Sequence, residues 1–295
     1  MPATSWRCGR TVIDLTQGPV IMGILNVTPD SFSDGGAHDD LESALRWARR
    51  MRAEGAQIID VGGESTRPGA DEVPLEEERR RVIPVVKALA AEGFFVSVDT
   101  SRPEIMTEAA AAGAQILNDV RAFERPGALE AAAATCCGLV VTHWAHAPLQ
   151  GDVVAEVQRY LEERQAALEA AGVSPERICW DPGFGFGKGP EQNFELLAAT
   201  ARFAASGQPF MTAVSRKRSL GHVTGREAPQ ERAAASAAAA LLCVERGAQI
   251  VRVHDVRETA DAFAVLRALR EAQRRIELHA LRLDQRPCRA CSRPD

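Results

Sequence analysis

The stretch Val20-Ile21-Met22-Gly23-Ile24-Leu25-Asn26 is a continuous apolar run that stops on a side-chain amide. Unbroken apolarity, in place of strict alternation, is the pattern of a parallel strand covered on both faces. Working outward, the same pattern recurs at Gln57 to Val61, Phe95 to Asp99, Gln115 to Asp119, Gly138 to Thr142, Arg177 to Asp181, Pro209 to Ala213 and Gln249 to Val253. Amphipathic helical stretches lie between the runs, among them Leu41 to Glu54, Leu75 to Glu92, Val153 to Ala171, Gln230 to Arg246 and Arg257 to Leu278. Eight β-α repeats in a chain of 295 residues predict an α/β fold, a single (β/α)8 TIM barrel, with a doubly wound open sheet as the alternative. No linker or low-complexity block divides the chain. Residues 1–280 are therefore expected to form one domain, and residues 281–295, where periodicity is lost, a disordered tail. The Cys288-x-x-Cys291 pair in that tail is half of a zinc site with no second half nearby.

Hydrophobic residues make up 45% and charged residues 25%, which excludes a disordered chain and a collagen-like fibre. The formal net charge of -5 argues against a nucleic-acid partner, and any anionic substrate must be drawn by a local cluster of Arg and Lys. Seven scattered cysteines, an odd number, suit free thiols in a reducing cytoplasm. Met1 to Arg7 leads into no apolar signal core. The longest small-apolar stretch, Ala233 to Val244, is too short to cross a bilayer, so no membrane attachment is expected.

The ends of the apolar runs carry the chemistry. They terminate in Asn26, Asp60, Asp99, Asn118-Asp119, His143, Asp181, Ser215-Arg216-Lys217 and Arg252-Val253-His254-Asp255. Any one of these can simply cap the next helix or start a turn. Polar groups at the C-terminal end of nearly every strand describe a barrel active site. Ser215-Arg216-Lys217-Arg218 puts three cations in a row, and strand alternation puts Arg252 and His254 on one side. Arg and His converging after the seventh and eighth runs match the usual barrel phosphate site.

Asp181-Pro182-Gly183-Phe184-Gly185-Phe186-Gly187-Lys188 is not a nucleotide loop: the P-loop positions before and after its Gly-Lys pair hold Pro182 and Gly189. What remains is a glycine-flexed loop with Asp181 at its base, carrying the Phe186 ring and the Lys188 amine. Such a loop lets a flat ring approach the backbone while a carboxylate reads its edge. Asn26 to Gly36 and Gly62 to Gly69 are further polar, glycine-ended loops, the second carrying the Arg67 guanidinium.

Met22 to Gly36, Glu64-Ser65-Thr66-Arg67-Pro68-Gly69, Asp181 to Lys188, Ser215-Arg216-Lys217 and Arg252 to Val256 together resemble the dihydropteroate synthase family, colinearly from about Val20 to Val256. The resemblance implies a (β/α)8 barrel that joins 6-hydroxymethyl-7,8-dihydropterin pyrophosphate to p-aminobenzoate, releasing pyrophosphate and giving 7,8-dihydropteroate. That is a step of folate synthesis and the target of sulfonamides. It implies a pterin pocket of Asp99, Asn118, Asp181 and Lys217. Pyrophosphate is held by Asn26, Arg67, Arg252 and His254, with Mg²⁺ bound directly only by Asn26. Thr66, Arg67, Pro68, Phe186, Ser215 and Lys217 serve p-aminobenzoate. Catalysis falls to Asp99, Lys217, Arg252, His254 and Arg67, with a homodimer formed through the last helices. The bottom-up chemistry agrees: a carboxylate can accept from an amino-pyrimidine edge, cations suit a departing diphosphate, and a neutral aromatic amine needs no Ser or Cys nucleophile. In one departure, Thr142-His143-Trp144-Ala145-His146 places Trp144 where the family has a smaller side chain beneath the pterin. A silent pterin-binding paralogue and a pterin-dependent methyltransferase module are the alternative readings. The latter has no use for Arg67.

Overall fold

The computed structural model describes residues 1–27, 37–64, 73–145 and 149–284. Eight strands form the barrel: β3 (Val20–Asn26), β4 (Ile58–Gly62), β5 (Val96–Asp99), β6 (Ile116–Asp119), β7 (Gly138–Thr142), β8 (Ile178–Asp181), β9 (Met211–Thr212) and β10 (Ile250–Val253). Their order is β8-β7-β6-β5-β4-β3-β10-β9, and every neighbouring pair is parallel. The ring closes between β8 and β9 through a single Trp180–Phe210 bridge, where Trp180 N donates to Pro209 O at 2.9 Å. The barrel expected from the repeats is present, and the open sheet is excluded. The seventh run is shorter as a strand than expected because the Phe210 carbonyl accepts from both Gln249 and Ile250 amides, outside a regular ladder.

The helices follow their local signals. Among them are α1 (Ala37–Glu54), α2 (Leu75–Ala91), α3 (Pro103–Ala112), α4 (Ala128–Ala134) and α5 (Val153–Ala170). The later ones are α6 (Pro190–Ala198), α7 (Thr200–Ala204), α8 (Arg218–Thr224), α9 (Ala233–Glu245) and α10 (Val256–Asp284). Asp152 caps α5 by accepting from Val154 N and Ala155 N, both at 3.0 Å. Pro103 opens α3, and Gly113 in the left-handed region closes it. The last helix runs through Asp284, beyond Leu278 where the apolar pattern ends; residues 285–295, with Cys288 and Cys291, lie outside the described residues.

Period-two alternation sorts each barrel strand into two faces. Ile59, Val61, Val98, Leu117, Val141, Trp180, Val251 and Val253 face outward into the core beneath the helices. Val20, Met22, Ile58, Ile116, Val140, Cys179, Met211 and Ile250 fill the lumen. Two residues further along four of the lumen faces the register turns polar: Ile58 leads to Asp60, Ile116 to Asn118, Cys179 to Asp181 and Ile250 to Arg252. The barrel is therefore an apolar floor under a polar tier.

A hairpin absent from the sequence reading seals that floor from below. β1 (Ser5–Cys8) and β2 (Thr11–Asp14) pair antiparallel, and Trp6 and Cys8, both fully buried, join the lumen cluster. Trp6 Nε1 donates to Arg177 O at 2.9 Å. Gly138 opens β7 because a Cβ there would stand 2.5 Å from Cys8 Sγ. Trp6→Ala should leave a cavity at the barrel floor and cost about 3–5 kcal/mol. Urea unfolding measures this, and an unchanged midpoint would show that the hairpin is not part of the core.

Candidate active site

The polar tier is organised around Arg252. Its Nε donates to Asp60 Oδ2 at 2.6 Å and its Nη2 to Asp99 Oδ2 at 2.6 Å, so one guanidinium from β10 spans carboxylates on β4 and β5. Asn118 Nδ2 donates to the same Asp60 oxygen at 3.1 Å. Asp60, Asp99, Asn118 and Asp181 are all buried. Asp60 Oδ1 and Asp99 Oδ1 have no hydrogen-bond partner among the described residues and remain available as acceptors. Sequence reasoning noted Asp60 only as a strand end; its signal was its place two residues after the lumen-facing Ile58.

Burial pushes the Asp99 carboxyl up to about 7, against the pull of Arg252 and with help from Asp60. Burial likewise raises Asp181, while the amide of Gly183 donates to its Oδ1 at 2.8 Å. Gly183 has φ +69°, and a Cβ there would collide with the His143 carbonyl, so only glycine lets this loop settle against β7. Lys217 faces the same space. Burial brings its amine down to about 8, with Asp181 opposing the fall, and the amine lies 4.2 Å from the centre of the Phe186 ring.

Of the cations that the sequence places near the mouth, Lys217 enters the site as expected and Lys188 needs correction. Of Ser215-Arg216-Lys217-Arg218, only Lys217 turns into the site. Arg216 adopts φ +58°, and its guanidinium turns to the Asp255 carboxylate, with Nε 3.0 Å from Oδ2. Its amide bonds Ser236 Oγ at 2.9 Å and its carbonyl accepts from Arg232 at 2.9 Å. Arg218 begins α8 and is exposed. Lys188, expected to present its amine on the loop, instead buries it. The amine donates to the carbonyls of Gly183 (2.7 Å) and Phe186 (3.0 Å) and lies 2.9 Å from His143 Nδ1. Burial, reinforced by the Lys188 charge, holds His143 near 3, so its ring is neutral and Nδ1 accepts. Lys188 thus shapes the loop that displays Phe186.

Ser215 is buried and supports His254. Its hydroxyl accepts from His254 N at 3.1 Å and lies 3.1 Å from His254 Nδ1. Trp144 lies against the glycine loop, its ring 6.3 Å from Phe186 at 35°, with the Arg121 guanidinium 5.5 Å from its centre. Asn26 ends β3 at the rim and is exposed. A Cβ on Gly62 would stand 3.8 Å from Asn26 Oδ1 and 3.9 Å from Asp99 Oδ2, so the bare glycine keeps a gap open between amide and carboxylate. Thr66, Arg67 and Pro68 lie outside the described residues, as do residues 28–36 and His146.

The structure thus gathers Asp99, Asn118, Asp181, Lys217, Phe186, Arg252, His254 and Asn26 at the C-terminal mouth of the barrel. Comparison with known proteins points the same way. Residues 22–254 match the pterin binding enzyme family. The dihydropteroate synthase of Escherichia coli strain K12 is 48% identical over 271 residues, 89% of this chain and 95% of that protein. The solved structure of Xanthomonas albilineans dihydropteroate synthase with 4-aminobenzoic acid is similar at a TM-score of 0.87 and 50% identity, over 91% of this chain and 98% of that one. The Burkholderia cenocepacia dihydropteroate synthase complexed with 7,8-dihydropteroate is similar at 0.85 and 45%, over 93% and 99%. With a closed eight-stranded barrel, a lumenal tier of carboxylates and amides, and likeness of this extent, the chain belongs to the dihydropteroate synthase family.

Proposed function

We propose that the chain condenses 6-hydroxymethyl-7,8-dihydropterin pyrophosphate with p-aminobenzoate, giving 7,8-dihydropteroate and pyrophosphate. The observation that carries this is the convergence of Asp99, Asn118, Asp181 and Lys217 in the lumen, beside an arginine aimed between two carboxylates. Asp181 and Asn118 read the amino-pyrimidine edge of the pterin, and Lys217 donates to the ring's acceptor atoms. As the bond from the pterin methylene to the diphosphate oxygen breaks, its electron pair leaves with the diphosphate. Positive charge spreads into the ring, where ionised Asp99 steadies it. The neutral amine of p-aminobenzoate then bonds to the methylene and releases a proton. Arg252, His254 and Arg67 stabilise the departing anion, and Phe186, Lys217, Thr66 and Pro68 border the aminobenzoate. A sulfonamide, which mimics p-aminobenzoate, would compete there.

Asn26 Oδ1, exposed at the rim, is the side-chain oxygen that would hold a hydrated Mg²⁺. One neutral amide oxygen binds that ion weakly, so it would arrive with the diphosphate, keep several waters and offset the phosphate charge. Val265, Leu269 and Ile276 on α10 and Leu242 on α9 are exposed apolar side chains, and a homodimer through these last helices would cover them. Among the described residues no helix is long and apolar enough to cross a membrane, and the thiols are free, in keeping with a cytoplasmic enzyme.

Pyrophosphate release, assayed with both substrates and with each omitted in turn, tests the reaction. Release should require both. Binding of pterin without release in the complete mixture would favour a silent paralogue.

The titrations predict a bell-shaped pH profile of kcat/KM. Asp99 must be ionised, so activity should fall as pH drops through about 7, and Lys217 must be charged, so it should fall again above about 8. The same Asp99 shift makes folding stability decline as pH climbs from the ordinary carboxylate range toward 7. The folded state holds that proton and the unfolded chain does not. Lys217→Arg, permanently charged, should abolish the alkaline limb in whatever activity remains. An unchanged limb would assign it to another group.

A further inference from the structure

Four side chains, one from beyond the C-terminal end of each of four consecutive barrel strands, form a chain of contacts along the mouth. Arg121 follows β6, Trp144 follows β7, Phe186 follows β8 and Lys217 follows β9. The Arg121 guanidinium lies 5.5 Å from the centre of the Trp144 ring, and that ring lies 6.3 Å from Phe186 at 35°. The Lys217 amine lies 4.2 Å from the centre of Phe186. The chain of contacts therefore begins and ends on a cation set over an aromatic ring. Trp144 and Phe186 are only half-buried, whereas Trp6 and Trp180 are 0% and 3% exposed, so this contact belongs to the mouth and not to the core. The Phe186 backbone is already fixed. Its amide donates to Gly183 O at 3.2 Å, its carbonyl accepts from Lys188 at 3.0 Å, and the neighbouring Gly185 amide donates to Asn193 Oδ1 at 2.7 Å. What the backbone leaves open is rotation of the Phe186 side chain, and Trp144 and Lys217 are the neighbours that limit it.

We propose that Trp144 is a positioning residue for p-aminobenzoate, holding the Phe186 ring in one orientation beside the Lys217 amine. The inference rests on the reading of Phe186 and Lys217 as the border of the aminobenzoate site. Its physical basis is rotamer entropy. A phenyl ring free to turn must be ordered as the substrate arrives, and that cost weakens binding; a ring already held by Trp144 has met it beforehand. The far end of the contact chain is anchored in turn, because the Arg121 amide donates at 2.8 Å to Oδ1 of the buried Asp119 at the end of β6. The effect is confined to the aminobenzoate side. Free pterin is read in the lumen by Asp99, Asn118 and Asp181, and Trp144 contacts none of them through Phe186.

The experiment measures the KM for p-aminobenzoate at saturating pterin pyrophosphate, beside the affinity for free pterin, in the parent and in Trp144→Ala, Trp144→Phe and Trp144→Leu. Trp144→Ala should raise that KM about fivefold with a smaller change in kcat, and leave free-pterin affinity within about twofold. Trp144→Phe, which keeps an aromatic face, should return the KM to within about twofold of the parent. Trp144→Leu keeps apolar bulk without a flat face, and its KM should rise more than about threefold, a reading that stands even if Trp144→Ala fails to fold. Because Trp144 acts through Phe186, adding Trp144→Ala to Phe186→Ala should move the KM by less than about twofold. An unmoved KM in Trp144→Ala and Trp144→Leu, free-pterin affinity falling as far as the KM rises, or an undiminished effect in the Phe186→Ala background would each overturn the positioning role. A parent that needs no p-aminobenzoate for turnover would overturn the underlying reading as well.

Discussion

Arg252 suspended between Asp60 and Asp99 is the constraint on which the barrel mouth depends. Two carboxylates and one guanidinium stand here inside a protein lumen, so removing Arg252 leaves buried carboxylates without their cation and costs about 3–5 kcal/mol. The geometry offsets much of the desolvation: two bonds of 2.6 Å run from one guanidinium, and the amide of Asn118 shares the Asp60 oxygen. Because β10 neighbours β3 and not β4 or β5, the arginine passes one strand to reach Asp60 and two to reach Asp99. A single side chain thus couples β10, β4 and β5, and β6 joins through Asn118. The readers of the pterin and the holder of the diphosphate become one network.

The network has its properties because of what lies below it. Trp6, Cys8 and a layer of Val, Ile, Met and Cys close the floor, so water reaches the polar tier only from the mouth. Low dielectric raises Asp99 and Asp181 and lowers Lys217, moving Asp99 and Lys217 into the range where they titrate near neutrality. The loops then set direction. Gly183 allows close approach to β7, the buried amine of Lys188 ties the loop's carbonyls, and Phe186 meets Lys217. On the other side Ser215, within 3.1 Å of both the His254 amide and Nδ1, holds the ring in place.

Much of this was legible in the sequence for a simple reason. A parallel barrel strand is buried on both faces and is therefore a continuous apolar run, and its polar end is the site. Asn26, Asp99, Asn118, Asp181 and His254 follow from that rule alone. The hairpin did not, because Ser5–Cys8 and Thr11–Asp14 are four residues each and carry too few apolar side chains to stand out. Nor could three adjacent cations reveal which one faces inward. That depends on the positive φ of Arg216 and on Asp255, 39 residues away. Lys188 looked like a ligand group because sequence shows a charge and not the four acceptors that surround it.

The coupling between Asp60 and Arg252 can be measured by a double-mutant cycle on unfolding free energy, using Asp60→Asn, Arg252→Gln and the pair. If the ion pair holds the mouth together, Arg252→Gln leaves Asp60 and Asp99 without their cation, and neutralising Asp60 in that background costs far less than it does in the parent. The coupling energy should then be roughly 2 kcal/mol or more. Additivity to within about 0.5 kcal/mol would mean that the two groups are independent, and that the site is organised by something other than Arg252.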